Sequence, residues 1–122
     1  MAYHIAHIMN SSKSSIALTN PATEADSKLV APGDSYKPKR PVLVNKIDGN
    51  PTYSEALTKA LNIYTYTNNY CFWDNTNSAV NGVGEQGGTI AFNANAGDLD
   101  ITVNADGTLT FAKSGAVAAA GS

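Results

Sequence analysis

The chain has 122 residues, 43% hydrophobic and 15% charged, with a formal net charge of −2 and one cysteine, Cys71. That length suits a single domain with one core, and a near-neutral chain without a dense Lys/Arg run excludes nucleic-acid phosphate as a partner class. A lone cysteine excludes an intrachain disulfide framework and a multi-thiolate metal site.

Short strand-like runs recur between turn signals, a pattern of antiparallel β-sandwiches rather than of βαβ proteins. In chain order they fall at 3–10, 15–20, 28–31, 41–47, 62–67, 69–74, 88–94, 98–104 and 108–113. The opening "MAYHIAHIMNSSK" has neither the cationic start nor the apolar stretch of a signal peptide, and no run reaches transmembrane length. The expected location is the cytoplasm, or release without a visible signal peptide. Within that segment His4 and His7 are an odd number of residues apart in a predicted strand, so they point to opposite faces, cannot share a metal, and read as two separate structural or surface histidines. Asn10-Ser11-Ser12 matches a glycosylation acceptor but, without a secretory route, reads as a turn.

Lys37, Lys39, Arg40 and Lys46 surround Pro38 and Pro41 and read as a solvated loop, or as a patch for anionic headgroups or acidic partners. The helical candidate is "NPTYSEALTKAL", near 51–61, with Asn50 as cap, Pro51 at the first helical position and Ala56, Leu57, Ala60 and Leu61 as an apolar stripe.

"YTYTNNYCFWDN", residues 64 to 75, concentrates the chain's rings. A strand over 62–67 puts Tyr64 and Tyr66 on one face; in the next strand Tyr70 and Phe72 share a face, and Cys71 and Trp73 the opposite one. Core packing and a binding rim both remain open. Cys71 lies between aromatics with no evident base and is not read as a nucleophile.

Gly82-Val83-Gly84-Glu85-Gln86-Gly87 satisfies G-x-G-x-x-G, but "GTIAFN" after it reads as a strand, so a flexible loop is expected, not a phosphate cradle. Asp98 and Asp100 share a strand face. They are either solvated strand-edge carboxylates or, with Asp106 or Asp74-Asn75, oxygen ligands for calcium; no cofactor or metal is assigned. In "LDITVNADGTLTF" a three-residue loop Ala105-Asp106-Gly107 pairs Val103 with Leu109 and Ile101 with Phe111, leaving Thr102 opposite Thr110 and Gly107 at positive φ. The domain is taken as 1–115, with a small-residue tail at 116–122 that either frays or packs on a neighbour.

"HIAHIMNSSKSSIALTN" followed by "LVAPGDSY", together with "YCFWDN", resembles the aegerolysin-like β-sandwich proteins, small lipid-binding and cytolysin-partner proteins. The resemblance implies a sandwich fold and a lipid-contact region at Trp73 and Asp74 with Tyr64, Tyr66 and Tyr70 beside it. Two function classes are carried forward. One is a non-catalytic recognition module that binds a lipid headgroup, glycan or protein partner through Trp73, Asp74, Tyr64, Tyr66, Tyr70 and Asn75. The other is a self-assembling structural subunit, a homo-oligomer driven by neutral sheet edges. No convergent acid, base or nucleophile set points to an enzyme.

Overall fold

The computed structural model describes residues 2–21, 27–75, 79–93 and 97–114. Among them eleven strands and one short helix build two facing sheets, an all-β sandwich. β1 (Tyr3–Asn10) leads to the hairpin β2 (Ile16–Thr19) and β3 (Lys28–Val30), and β4 (Ser35–Tyr36) and β5 (Val42–Leu43) return to β1. Helix α1 (Tyr53–Lys59) precedes a meander of β6 (Leu61–Tyr64), β7 (Asn69–Asp74), β8 (Ala79–Gly84) and β9 (Thr89–Asn93), and the hairpin β10 (Gly97–Val103) and β11 (Leu109–Lys113) closes the chain. One sheet runs β11-β10-β1-β4 with β5 also on β1; the other runs β3-β2-β6-β7-β8-β9. The pairing is antiparallel except between β1 and β10, which is parallel.

Alternation along the strands turns Tyr3, Ile5, Ile8, Ile16, Leu18, Leu61, Ile63, Phe72, Leu99, Ile101 and Val103 into one core between the sheets. Phe111 closes one side of it, 5.4 Å from Phe72 edge-to-face and 6.2 Å from Phe92. The opposite side is closed by the Lys28 ammonium 5.5 Å over the Tyr36 ring.

The strand bounds follow the expected ones closely for β1, β7, β9, β10 and β11, and two strands go unanticipated, β4 and β8. The 41–47 run forms a strand only at Val42–Leu43. Beyond it the chain crosses between sheets: Val44 N–H donates to Tyr3 C=O, and Ile47 N–H donates to Asp74 C=O of β7.

The helix forms, but its start is corrected. Thr52, not Asn50, is the cap: its hydroxyl accepts from Glu55 N–H at 3.2 Å while Glu55 Oε1 accepts from Thr52 N–H at 3.0 Å, a reciprocal box. Those bonds favour the charged form and hold the Glu55 carboxyl below its ordinary range. The helix stops at Lys59 because Ala60 is extended, at φ −91° and ψ 162°. Leu57 is therefore exposed and Leu61 belongs to β6, so Ala56 and Ala60 alone form the buried stripe.

The C-terminal hairpin has the expected register: Val103 opposite Leu109, Thr102 opposite Thr110, Ile101 opposite Phe111. Gly107 sits at φ 87°, and a Cβ there would collide with the Thr67 hydroxyl, so glycine is required twice over. The tail expected at 116–122 lies outside the described residues.

The reading of the two histidines is corrected. A bulge between Ile5 and His7 shifts the β1–β10 register, so His4 pairs with Asp98 and His7 with Asp100, and all four occupy the outer face. An odd separation reverses a side chain only in a regular strand. Among the described residues, no three His, Cys, Asp or Glu side chains are grouped to hold a metal ion.

Candidate functional site

The aromatic stretch is divided among three environments. Phe72 faces the core, and Tyr70 is 9% exposed opposite Ile63. Cys71 and Trp73 point to the outer face of the same sheet, where α1 lies over them with Ala56 and Ala60. A short helix thus turns an outer face into a second small core. Trp73 is 4% exposed, and its indole N–H has no acceptor among the described residues. Asp74 is buried as well and is tied by its backbone to Asn45 and Ile47. Asn75 N–H donates to Ala79 C=O at the turn into β8.

The asparagines beside the rings are committed to structure. Asn62 Oδ1 accepts from the Cys71 thiol at 2.9 Å and from Asn69 Nδ2 at 3.2 Å, and Asn69 Nδ2 also donates to the Tyr53 hydroxyl at 2.9 Å. Burial, with the Glu85 charge adding to it, pushes the Cys71 thiol up to about 11, so it stays protonated and unreactive near neutrality. Asn68 donates to Gly87 C=O and accepts from Gln86 N–H, fastening the β8–β9 turn to the β6–β7 loop.

Those contacts explain the glycines that match G-x-G-x-x-G, and they correct the expected flexible loop. Gly82 and Gly84 lie in β8. A Cβ on Gly82 would stand 2.6 Å from Cys71 C=O and 2.8 Å from Ile90 Cδ1, and one on Gly84 would strike the Asn68 amide. Close packing, not a phosphate, demands them. Asn10 has an equally structural use: its Nδ2 donates to Ser14 C=O and Val30 C=O, and its Oδ1 accepts from the Ser12 N–H and hydroxyl.

Two tyrosines of the stretch remain at the surface, on different features. The face shared by Tyr64 and Tyr66 in the sequence reading is corrected, because β6 ends at Tyr64 and Thr65 N–H donates to Asn68 C=O to close a tight loop. Tyr64 is half exposed on the outer sheet face. Tyr66 is 71% exposed at the loop tip with φ 73°, the single non-glycine residue at positive φ among those described. Such a backbone disfavours a bulky side chain, so Tyr66 holds its exposed ring at a cost in backbone strain. β7 runs from Asn69 to Asp74, so Tyr66 and the Trp73–Asn75 group lie at opposite ends of a six-residue strand, roughly 17–20 Å apart at strand rise. They do not form one surface.

Around Tyr66 three connections meet. The β1–β2 turn supplies Ser12, Lys13 and Ser14; the β6–β7 loop supplies Thr65, Tyr66 and Thr67; the β10–β11 loop supplies Ala105, Asp106 and Gly107. Together they line a cleft of about 250 Å³. The hairpin register brings them together, because Gly107 packs directly on Thr67 and Thr65. Thr65 Oγ1 donates to Asn68 C=O at 3.1 Å and lies 3.3 Å from Thr67 Oγ1. Asp106 Oδ1 accepts from the Thr108 hydroxyl at 2.6 Å and its N–H at 3.0 Å. The Thr108 bonds keep the Asp106 carboxyl below its ordinary range, and hence charged at neutral pH.

The cleft therefore offers an exposed ring, the hydroxyls of Ser14 and Thr67, one carboxylate and one ammonium. Sequence reading reached Tyr66, and Asp106 only as a calcium alternative, but missed the rest, since Ser12–Ser14, Thr65 and Thr67 are ordinary turn residues until the sandwich gathers its loops. Asp98 and Asp100, on the outer face, lie apart from Asp106 at the loop and from Asp74 in the other sheet. No family model, curated protein or solved structure matches this chain.

Proposed function

We propose that the protein is a non-catalytic recognition module that holds the end of a glycan in the three-loop cleft, with Tyr66 as the ring on which the sugar rests. The observation that carries this reading is Tyr66 itself, a large exposed aromatic kept in a left-handed backbone conformation at the mouth of a hydroxyl-lined cleft. Tyrosine gives apolar contact and a polar tip at little conformational cost. Ser14 and Thr67 carry hydroxyls of the kind that exchange hydrogen bonds with a polyol, while those of Ser12 and Thr65 are held by Asn10 Oδ1 and Asn68 C=O.

Charge chooses among ligand classes. The Asp106 carboxylate accepts from sugar hydroxyls but repels a phosphate, and Lys13 leaves the cleft near neutral rather than cationic. That balance favours a neutral glycan over an anionic lipid headgroup. The volume is slightly under the roughly 300–1,000 Å³ of small-ligand sites, which suits a terminal residue rather than a long chain. The cleft lining contains one carboxylate and neither histidine nor cysteine, a set for holding rather than transforming.

Tyr66→Gly is the test. Glycine relieves the left-handed backbone, which costs a side-chain-bearing residue roughly 1–2 kcal/mol. Thermal stability should hold or rise while binding to a glycan array is lost. Retained glycan binding by the variant, or wild-type retention on anionic liposomes alone, would overturn the reading.

A further inference from the structure

The two lateral edges of the six-stranded sheet are built differently. β3 is three residues long and carries Lys28, whose ammonium covers the Tyr36 ring. Charge and shortness are the usual guards against edge-to-edge pairing. β9, Thr89-Ile90-Ala91-Phe92-Asn93, has no such guard. It is five residues long, without charge, proline or bulge, and its register with β8 is unbroken.

The phase of its hydrogen bonding follows from the adjoining turn. Gly84 N–H donates to Gly88 C=O at 3.0 Å, so with the register Gly82 to Ile90 and Val80 to Phe92, those pairs exchange the bonds with β8. The N–H and C=O groups of Thr89, Ala91 and Asn93 then point away from β8. No described strand pairs with them.

We propose that β9 is a dimerisation edge, on which a second copy of this chain pairs its own β9 antiparallel across a two-fold axis through Ala91. An extended backbone can take the place of water on the whole row of donors and acceptors, and the second copy brings one already ordered. Centring on Ala91 places Thr89 opposite the partner's Asn93, so each outward N–H finds an outward C=O. The pair at the axis exchanges both its hydrogen bonds, and its side chain is small. On the inner face Ile90 meets the partner's Phe92, which extends the half-buried row that Ile90, Phe92 and Phe111 form at this side of the core. Nothing charged opposes itself across the axis, and the chain's net charge of −2 adds little repulsion between copies. The interface is self-complementary and closes on itself, which gives a dimer rather than a filament. The Tyr66 clefts lie at the Gly84–Gly88 end of each copy, so antiparallel pairing sends them to opposite ends, and the dimer forms whether or not they hold a glycan.

The full chain is studied by size-exclusion chromatography with light scattering, beside Ala91→Lys and Ala91→Glu. Ala91 is exposed, so either side chain is accommodated by the monomer. The expected results are twice the single-chain mass for the wild type, the single-chain mass for each variant at wild-type melting temperature, and twice the mass again when the two variants are mixed, because Lys then faces Glu at the axis. Amide hydrogen exchange of the unmodified protein gives a second reading: Thr89, Ala91 and Asn93 should be protected along with Ile90 and Phe92. A wild-type monomer, a dimer that persists in Ala91→Lys, a larger assembly, or fast exchange at Thr89, Ala91 and Asn93 would each overturn the proposal.

Discussion

At the scale of single residues, Trp73 is structural, and Tyr66 is the residue proposed for recognition. Trp73 is buried between the outer sheet face and α1, so truncation to Ala should cost about 3–5 kcal/mol, as core deletions of large rings do. Phe keeps most of the ring and removes an indole N–H that has no partner among the described residues. Trp73→Phe should therefore cost distinctly less than Trp73→Ala in urea unfolding and should keep glycan binding. Equal losses for the two variants would contradict the burial. The sequence made rings on both faces legible, because alternation from Tyr70 to Trp73 is a local property. It did not show that α1 covers the Trp73 face, since that depends on where a seven-residue helix lands after the chain crosses between sheets. Tyr66 was legible as a candidate contact residue but neither as exposed nor as a loop tip, because a strand ending at Tyr64 or at Thr67 looks the same until the Thr65–Asn68 bond closes the turn.

Among the elements, the β10–β11 hairpin was readable to the residue, since one candidate loop kept apolar side chains opposite one another and the other mixed them. Its tertiary use was not readable. Gly107 packs on the β6–β7 loop, forty residues earlier in the chain, and so sets the wall of the cleft. Gly107→Val should destabilise by about 1–3 kcal/mol from backbone strain, and further from the collision with Thr67. A double-mutant cycle of Gly107→Ala with Thr67→Ala isolates that contact: the alanine at 107 should cost less once the Thr67 hydroxyl is gone. Additive effects would mean that the loops do not touch. β1 teaches the converse lesson, because a single extra residue near Ala6 carries His7 to the face of His4, and no periodicity count anticipates a bulge. In β8, glycines that resemble a loop form a strand because Cys71, Ile90 and Asn68 leave no room for side chains.

For the whole molecule, the sandwich buries the Tyr70–Asp74 part of the ring-rich stretch and gathers three separate turns around Tyr66 at one end. Strand alternation made the layers legible; the gathering of loops was not, since Ser12, Thr67 and Asp106 meet only after both sheets have formed. The claim that recognition occurs at that end, and not around Trp73, is tested most directly by recording backbone amide shifts during titration with neutral oligosaccharides. The account predicts that shifts concentrate at Ser12–Ser14, Thr65–Thr67 and Asp106–Gly107 and disappear in Tyr66→Gly. Shifts centred on Trp73, Asp74 and Asn75, with the loop end unmoved, would contradict it.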